Sequence, residues 1–327
     1  MTSKNTDTSK KVGHQDTLNL SGVTTALVTP FKNRQGEVNY DRIKELIKAQ
    51  AQAGVNGVVP CGTTGESPTV SHEEHEAIVE LVARTAKSFG MTTIAGTGSN
   101  STAEAVRLTA QAALAGVDAC LIVCPYYNKP SPQGLIAHFS ALNEIGVPLV
   151  VYNIPGRSGI NISPATLTKI AQECSNVIGL KASNGDLDEI TEVAALLSKS
   201  GRKLAILSGD DSLTLPILSV GGCGVVSVLA NVLPEGMVTL YNAWISRNTE
   251  LAAQVMYVMY PLARALLKIG PNPVPIKALM NEVSEDVGEC RLPLVMPSRE
   301  DIAKLVVIYE QTKSELAQLI TTSCLHQ

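Results

Sequence analysis

Lys181 stands at the end of a short apolar run, NVIGLKASNG at 176–185, in which Val177, Ile178 and Leu180 read as a buried strand and Asn184-Gly185 as the loop beyond it. A lysine there is either a solvated amine or, if turned inward, a nucleophile kept in a pocket. A lysine amine is almost wholly protonated at neutral pH. Desolvation raises the neutral fraction that can attack a carbonyl carbon. Tyr152 sits at the end of the preceding apolar run, and Thr63-Thr64 lie in a GTTGE loop at 62–66. A lysine ringed by hydroxyls points to carbonyl chemistry through an imine, with protons moved over short distances by the hydroxyls. Two glycines in GTTGE allow backbone amides to approach a small carboxylate, although a tight turn before a helix is the plainer reading. Arg157, in NIPGRSG, is either solvated or a clamp for a second carboxylate. The adjacent Tyr126 and Tyr127 follow Pro125, and neighbouring tyrosines do not easily face one way. One of them suits a second site or a subunit contact.

Other chemistries fit less well. GTGSNS at 96–101 nearly matches a dinucleotide fingerprint, but its last position is Ser101 and Asp118 falls at the start of the next strand. Cys61 has no histidine at a neighbouring strand end, so core packing is expected for it. The seven cysteines show no CxxC pair and the five histidines no HExxH, so neither metal nor disulfide framework is expected. Free thiols fit a cytoplasmic protein. A net charge of −4, without basic runs mixed with aromatics, argues against nucleic acid. No apolar stretch reaches the roughly 18 residues of a membrane span. The first 19 residues are polar and read as a disordered tail.

The elements that position these groups follow one rhythm. β-branched runs near 23–29, 56–60, 92–96, 118–124, 148–152, 176–181, 204–208 and 223–228 read as strands. Helical segments near 39–53, 71–88, 101–115, 132–144, 164–173, 186–199 and 212–219 alternate with them, and an eighth starts near 234. Ser71-x-x-Glu74 and Ser101-x-x-Glu104 are capping boxes, and Ser163 precedes a proline suited to a first helical turn. Eight such units in about 225 residues suit a (β/α)8 barrel over 20–246, with an open doubly wound sheet as the competitor. The segments 248–269, 273–285 and 298–320 then form a helical C-terminal domain over 247–327. In either parallel architecture the ligand end is the carboxyl end of the strands, where the groups above gather.

CGTTGESPT, AGTGSNSTAEA, PYYNKPS, VYNIPGRSG, IGLKAS and LSGDD, in this order, resemble the dihydrodipicolinate synthase family, as do PNPVPIKALM and CRLPL in the tail. The likeness covers about residues 20–320. The arginine of YNIPGRSG favours that family over its siblings, N-acetylneuraminate lyase and the keto-deoxy-sugar-acid aldolases. The resemblance implies a cofactor-free lyase on a (β/α)8 barrel that condenses pyruvate with L-aspartate-4-semialdehyde, the first committed step of lysine and diaminopimelate synthesis. It implies a Schiff base on Lys181 and a proton relay of Thr63, Tyr127 and Tyr152, with Tyr127 reaching into a neighbouring subunit. Thr64 and Val226 would contact pyruvate, Arg157 the semialdehyde carboxylate, and Gly209 the substrate through its backbone. A feedback site for L-lysine maps to Ser67, Pro68, His72, His75, Asn100, Glu104 and Tyr126, and a homodimer or homotetramer is implied. Ala182 departs from a common acidic residue and Val226 from a common isoleucine; strand alternation should send Ala182 outward.

Overall fold

In the computed structural model, residues 18–32, 36–284 and 286–325 are described. Most of the expected N-terminal tail lies outside them. The strands are β1 (Gly22–Ala26), β2 (Gly57–Val59), β3 (Thr92–Gly96), β4 (Ala119–Val123), β5 (Leu149–Asn153), β6 (Val177–Ala182), β7 (Ala205–Ser208) and β8 (Gly224–Ser227). They pair in sequence order, all parallel, and β8 returns to β1 to close the barrel. Closure excludes the open doubly wound sheet and leaves no unpaired sheet edge. The helices are α1 (Tyr40–Gln52), α2 (His72–Ser88), α3 (Thr102–Leu114), α4 (Pro132–Asn143), α5 (Pro155–Ser158), α6 (Pro164–Glu173), α7 (Leu187–Ser200), α8 (Thr214–Ser219), α9 (Pro234–Ile245), α10 (Thr249–Lys268), α11 (Val274–Val283) and α12 (Arg299–Leu325). Among the described residues, no helix is long and apolar enough to cross a membrane.

Alternation along each strand divides the buried apolar residues into two groups. Val59, Ile94, Leu121, Val150, Tyr152, Leu207 and Val226 form one cluster, the barrel interior. Their strand neighbours Val58, Ala95, Ile122, Val151, Leu180, Ala182, Ile206 and Val225 join the larger cluster shared with the helices. Ala182 therefore faces outward, as alternation requires, and Lys181 faces inward. Helix starts are fixed locally. Ser71 and Glu74 complete a reciprocal capping box on α2, and Ser163 accepts from the Thr166 amide ahead of α6.

The C-terminal helices are tied to the barrel by a buried ion pair. Lys277 on α11 donates to Glu66 Oε1 at 2.8 Å, and both side chains are 0% exposed. Its remaining protons go to the carbonyls of Thr29 at 3.0 Å and Glu289 at 3.1 Å. The other Glu66 oxygen accepts the Arg291 amide at 2.9 Å. The Arg291 guanidinium forks onto Glu74 and stacks over Phe31, with its carbon 4.3 Å from the ring centroid. Burial lowers the Lys277 pKa, and the Glu66 carboxylate opposes that shift. Removing one partner strands the other charge in the interior, which typically costs about 3–5 kcal/mol. Lys277→Met is expected to lose stability on that scale in urea unfolding, and Lys277→Met/Glu66→Leu to recover much of the loss.

Candidate active site and effector cleft

Lys181 and Tyr152 are register partners across β5 and β6, so their inward side chains are neighbours by construction. Lys181 Nζ lies 4.2 Å from the centroid of the Tyr152 ring. The two residues are only 6% and 5% exposed. Leu207 pairs with Lys181 from β7, and Val226 on β8 belongs to the same interior cluster. The amine is thus walled by apolar side chains and the face of a phenol. Gly209 follows β7, with its amide on the Ala182 carbonyl at 2.8 Å.

The GTTGE turn follows β2. Glu66 adopts a left-handed backbone at φ 54°, stabilised by the ion pair below it and by the bond from the Thr29 hydroxyl to the Gly65 carbonyl at 2.7 Å. Thr64 is buried, and its hydroxyl accepts from Asn272 Nδ2 at 2.9 Å. The Asn272 carbonyl in turn accepts from Arg157 Nη2 at 3.1 Å. Asn272, just before α11, therefore bridges the threonine turn and the arginine of α5. PNPVPIK carries no local signal for the role of this asparagine. The contact with Thr64 spans 208 positions, which no local pattern encodes.

One continuous cleft of about 520 Å3 joins the expected catalytic and effector groups. Thr63, Tyr152, Arg157 and Asn272 are among its lining residues, as are Ser67, Pro68, His72, His75, Glu104 and Tyr126. Lys181, Thr64, Gly209, Val226, Asn100 and Tyr127 are not among its lining. The Asn100 carbonyl accepts from Asn128 Nδ2 at 2.8 Å. Tyr127 is 88% exposed, at φ 71°.

The two histidines of α2 have different surroundings. His75 is buried and its Nε2 meets the Gly96 carbonyl at 2.8 Å; burial lowers its pKa. His72 lies at the outer lip, where Nε2 meets Glu104 Oε1 at 2.9 Å. Glu104 also accepts from the Ser99 hydroxyl, which is the main cause of its lowered pKa. The capping box expected at Ser101 is accordingly half made. The Ser101 side chain accepts the Glu104 amide, while the carboxylate is turned to His72 and Ser99. Gly96 makes a close approach possible: a Cβ there would stand 2.3 Å from the Cys61 carbonyl oxygen. The Cys61 thiol is buried and pushed up by desolvation, consistent with a packing residue.

Asp211, in the SGDD turn, holds the start of the loop after β8 by accepting the amides of Val228 at 3.0 Å and Leu229 at 2.9 Å. Burial pushes its pKa up from 3.8 to about 6, against the opposing bonds from Ser227 and the two amides. The folded chain therefore binds this proton more tightly than the unfolded chain. The group's cost to stability is full above about pH 6 and disappears as pH falls below the unfolded value. Asp211→Asn is expected to raise the melting temperature at about pH 8 and to match wild type near about pH 4 in paired thermal scans.

A family model described as the dihydrodipicolinate synthetase family matches residues 19–312. The chain is 44% identical over 275 residues to the 4-hydroxy-tetrahydrodipicolinate synthase of Endomicrobium trichonymphae, covering 84% of this chain and 92% of that one. The solved 4-hydroxy-tetrahydrodipicolinate synthase of the thermoacidophilic methanotroph Methylacidiphilum fumariolicum SolV matches with a TM-score of 0.88 and 39% identity, over 93% of this chain and 99% of that chain. A crystal structure of the DHDPS from Cyanidioschyzon merolae with lysine bound matches with a TM-score of 0.85 and 36% identity, over 90% and 98%.

Proposed function

The chain belongs to the dihydrodipicolinate synthetase family, and we propose on that basis that it condenses pyruvate with L-aspartate-4-semialdehyde as a 4-hydroxy-tetrahydrodipicolinate synthase. The observation that carries the reading is the buried pairing of Lys181 with Tyr152 on the barrel's inner face. The neutral Lys181 amine attacks the keto carbon of pyruvate, and the oxygen leaves as water to give an imine. Loss of a methyl proton yields an enamine. Its carbon attacks the aldehyde, forming the carbon–carbon bond while the aldehyde oxygen becomes a hydroxyl. The amino group of the semialdehyde then attacks the imine carbon, closes the ring and releases Lys181. Every proton moves a short distance between hydroxyls in a secluded site, the task assigned to Tyr152, Thr63 and Tyr127. Thr64, the Gly209 backbone and Val226 seat pyruvate, and Arg157 takes the semialdehyde carboxylate.

Tyr127 belongs to the relay only if it enters a second subunit's site. Its 88% exposure in one chain suits that role and an assembly of at least a dimer. Ser67, Pro68, His72, His75, Asn100, Glu104 and Tyr126 are assigned to L-lysine as feedback inhibitor, with Glu104 pairing the effector's ammonium. The shared cleft supports this, since most of these residues line it together with Tyr152.

Borohydride reduction with pyruvate should leave a stable adduct on the peptide carrying Lys181, read by mass mapping. Folded protein that yields no adduct with ample pyruvate would defeat the mechanism. Glu104→Gln should shift the lysine inhibition curve to about tenfold higher concentration, as loss of a charge-assisted bond predicts. An unshifted curve would remove Glu104 from the effector site.

A further inference from the structure

Two residues beyond Lys181, β6 hands over to Ser183, whose amide donates to the Asn153 carbonyl at 2.9 Å and so prolongs the β5–β6 ladder. Residues i and i+2 of a strand share a face. Ser183 therefore continues the inward row begun by Lys181, about 6.6 Å nearer the end where ligands enter. Its hydroxyl is buried and has no hydrogen-bond partner among the described residues. Buried hydroxyls are normally satisfied, and an orphan beside a reactive group calls for a reason.

The surroundings supply one. Gly209 lacks a side chain where one would collide with both neighbours. A Cβ there would lie 1.9 Å from Ser183 Oγ and 3.0 Å from Lys181 Cε. The serine hydroxyl and the last carbon of the lysine thus flank a single point in space, left open by the glycine. Rotation about the Cα–Cβ bond gives Oγ two further staggered positions besides this seat.

We propose that Ser183 is a further catalytic residue, a hydrogen-bond donor to the oxygen of the aldehyde during carbon–carbon bond formation. The inference rests on the synthase reading above and deepens it. As the enamine carbon bonds to the aldehyde carbon, the carbonyl electron pair moves onto oxygen. Ser183 donates a hydrogen bond to that developing charge, where a preorganised donor acts most strongly. The proton that finally neutralises the oxygen comes through the tyrosine–threonine relay, and Ser183 keeps its own. Pyruvate capture needs no such donor, because the aldehyde has not yet arrived.

Ser183→Ala deletes only the oxygen and leaves the seat against Gly209 without a clash. In the full-length enzyme, kcat/KM for aspartate semialdehyde should fall about a hundredfold, as for loss of one oxyanion donor. The rate of pyruvate imine formation, read by borohydride-trapped mass, should stay at the wild-type value. Ser183→Cys, carrying a weaker donor, should fall between. Unchanged kcat/KM in Ser183→Ala overturns the proposal, as does an equal loss of imine formation, which would make Ser183 a positioning residue for Lys181. Wild-type protein that fails to condense the semialdehyde sinks the synthase reading instead, so the two failures are separable.

Discussion

Lys277 gives all its ammonium protons to acceptors in the loop layer above the barrel: the Glu66 carboxylate and the carbonyls of Thr29 and Glu289. A charge so placed is tolerated only when its partners are complete. The geometry of the GTTGE turn follows from that demand. Glu66 must hold a left-handed backbone to aim its carboxylate inward, and Thr63 and Thr64 are carried by the same turn. The same C-terminal segment sends Asn272 to the Thr64 hydroxyl and to Arg157. The helices after the barrel are thus structural parts of the site, although the strand–helix repeat ends before them.

Below that layer, the closed sheet does the remaining positioning. Pairing of Tyr152 with Lys181 is set by strand register, and facing direction by alternation, so neither depends on a flexible loop. A one-residue slip would send both side chains into the helical shell. Closure of eight parallel strands prevents such a slip by fixing every neighbour at once. The Lys181 amine is held on a strand of the closed sheet, while Thr63 and Thr64 sit on a turn.

The barrel was legible in the sequence because each of its elements is a local pattern. Apolar runs at 92–96 and 148–152 and the helix over 164–173 needed only neighbours to be recognised, and Ser71 announced α2 by its cap. Lys181 and Tyr152 were legible because strand ends mark the ligand side of parallel folds. The ion pair between Glu66 and Lys277 was not, since 211 positions separate the two residues and no local pattern links them. Nor did spacing reveal that His75 turns inward to the Gly96 carbonyl while His72 remains at the lip. Residues three apart on a helix share a side, but depth below the surface is a property of what packs above. Ser101 shows the same limit: its box is spelled correctly, yet Glu104 is recruited elsewhere.

The uninterrupted cleft between Tyr152 and Glu104 has a consequence for ligand design. On the proposed assignment, an α-keto-acid mimic beside Tyr152 and a primary amine beside Glu104 are two fragments that a short tether would join. The second fragment then docks at an effective concentration on the order of millimolar, whatever its own affinity. Avidity of this kind requires no new contact with the protein, only a linker whose length matches the span.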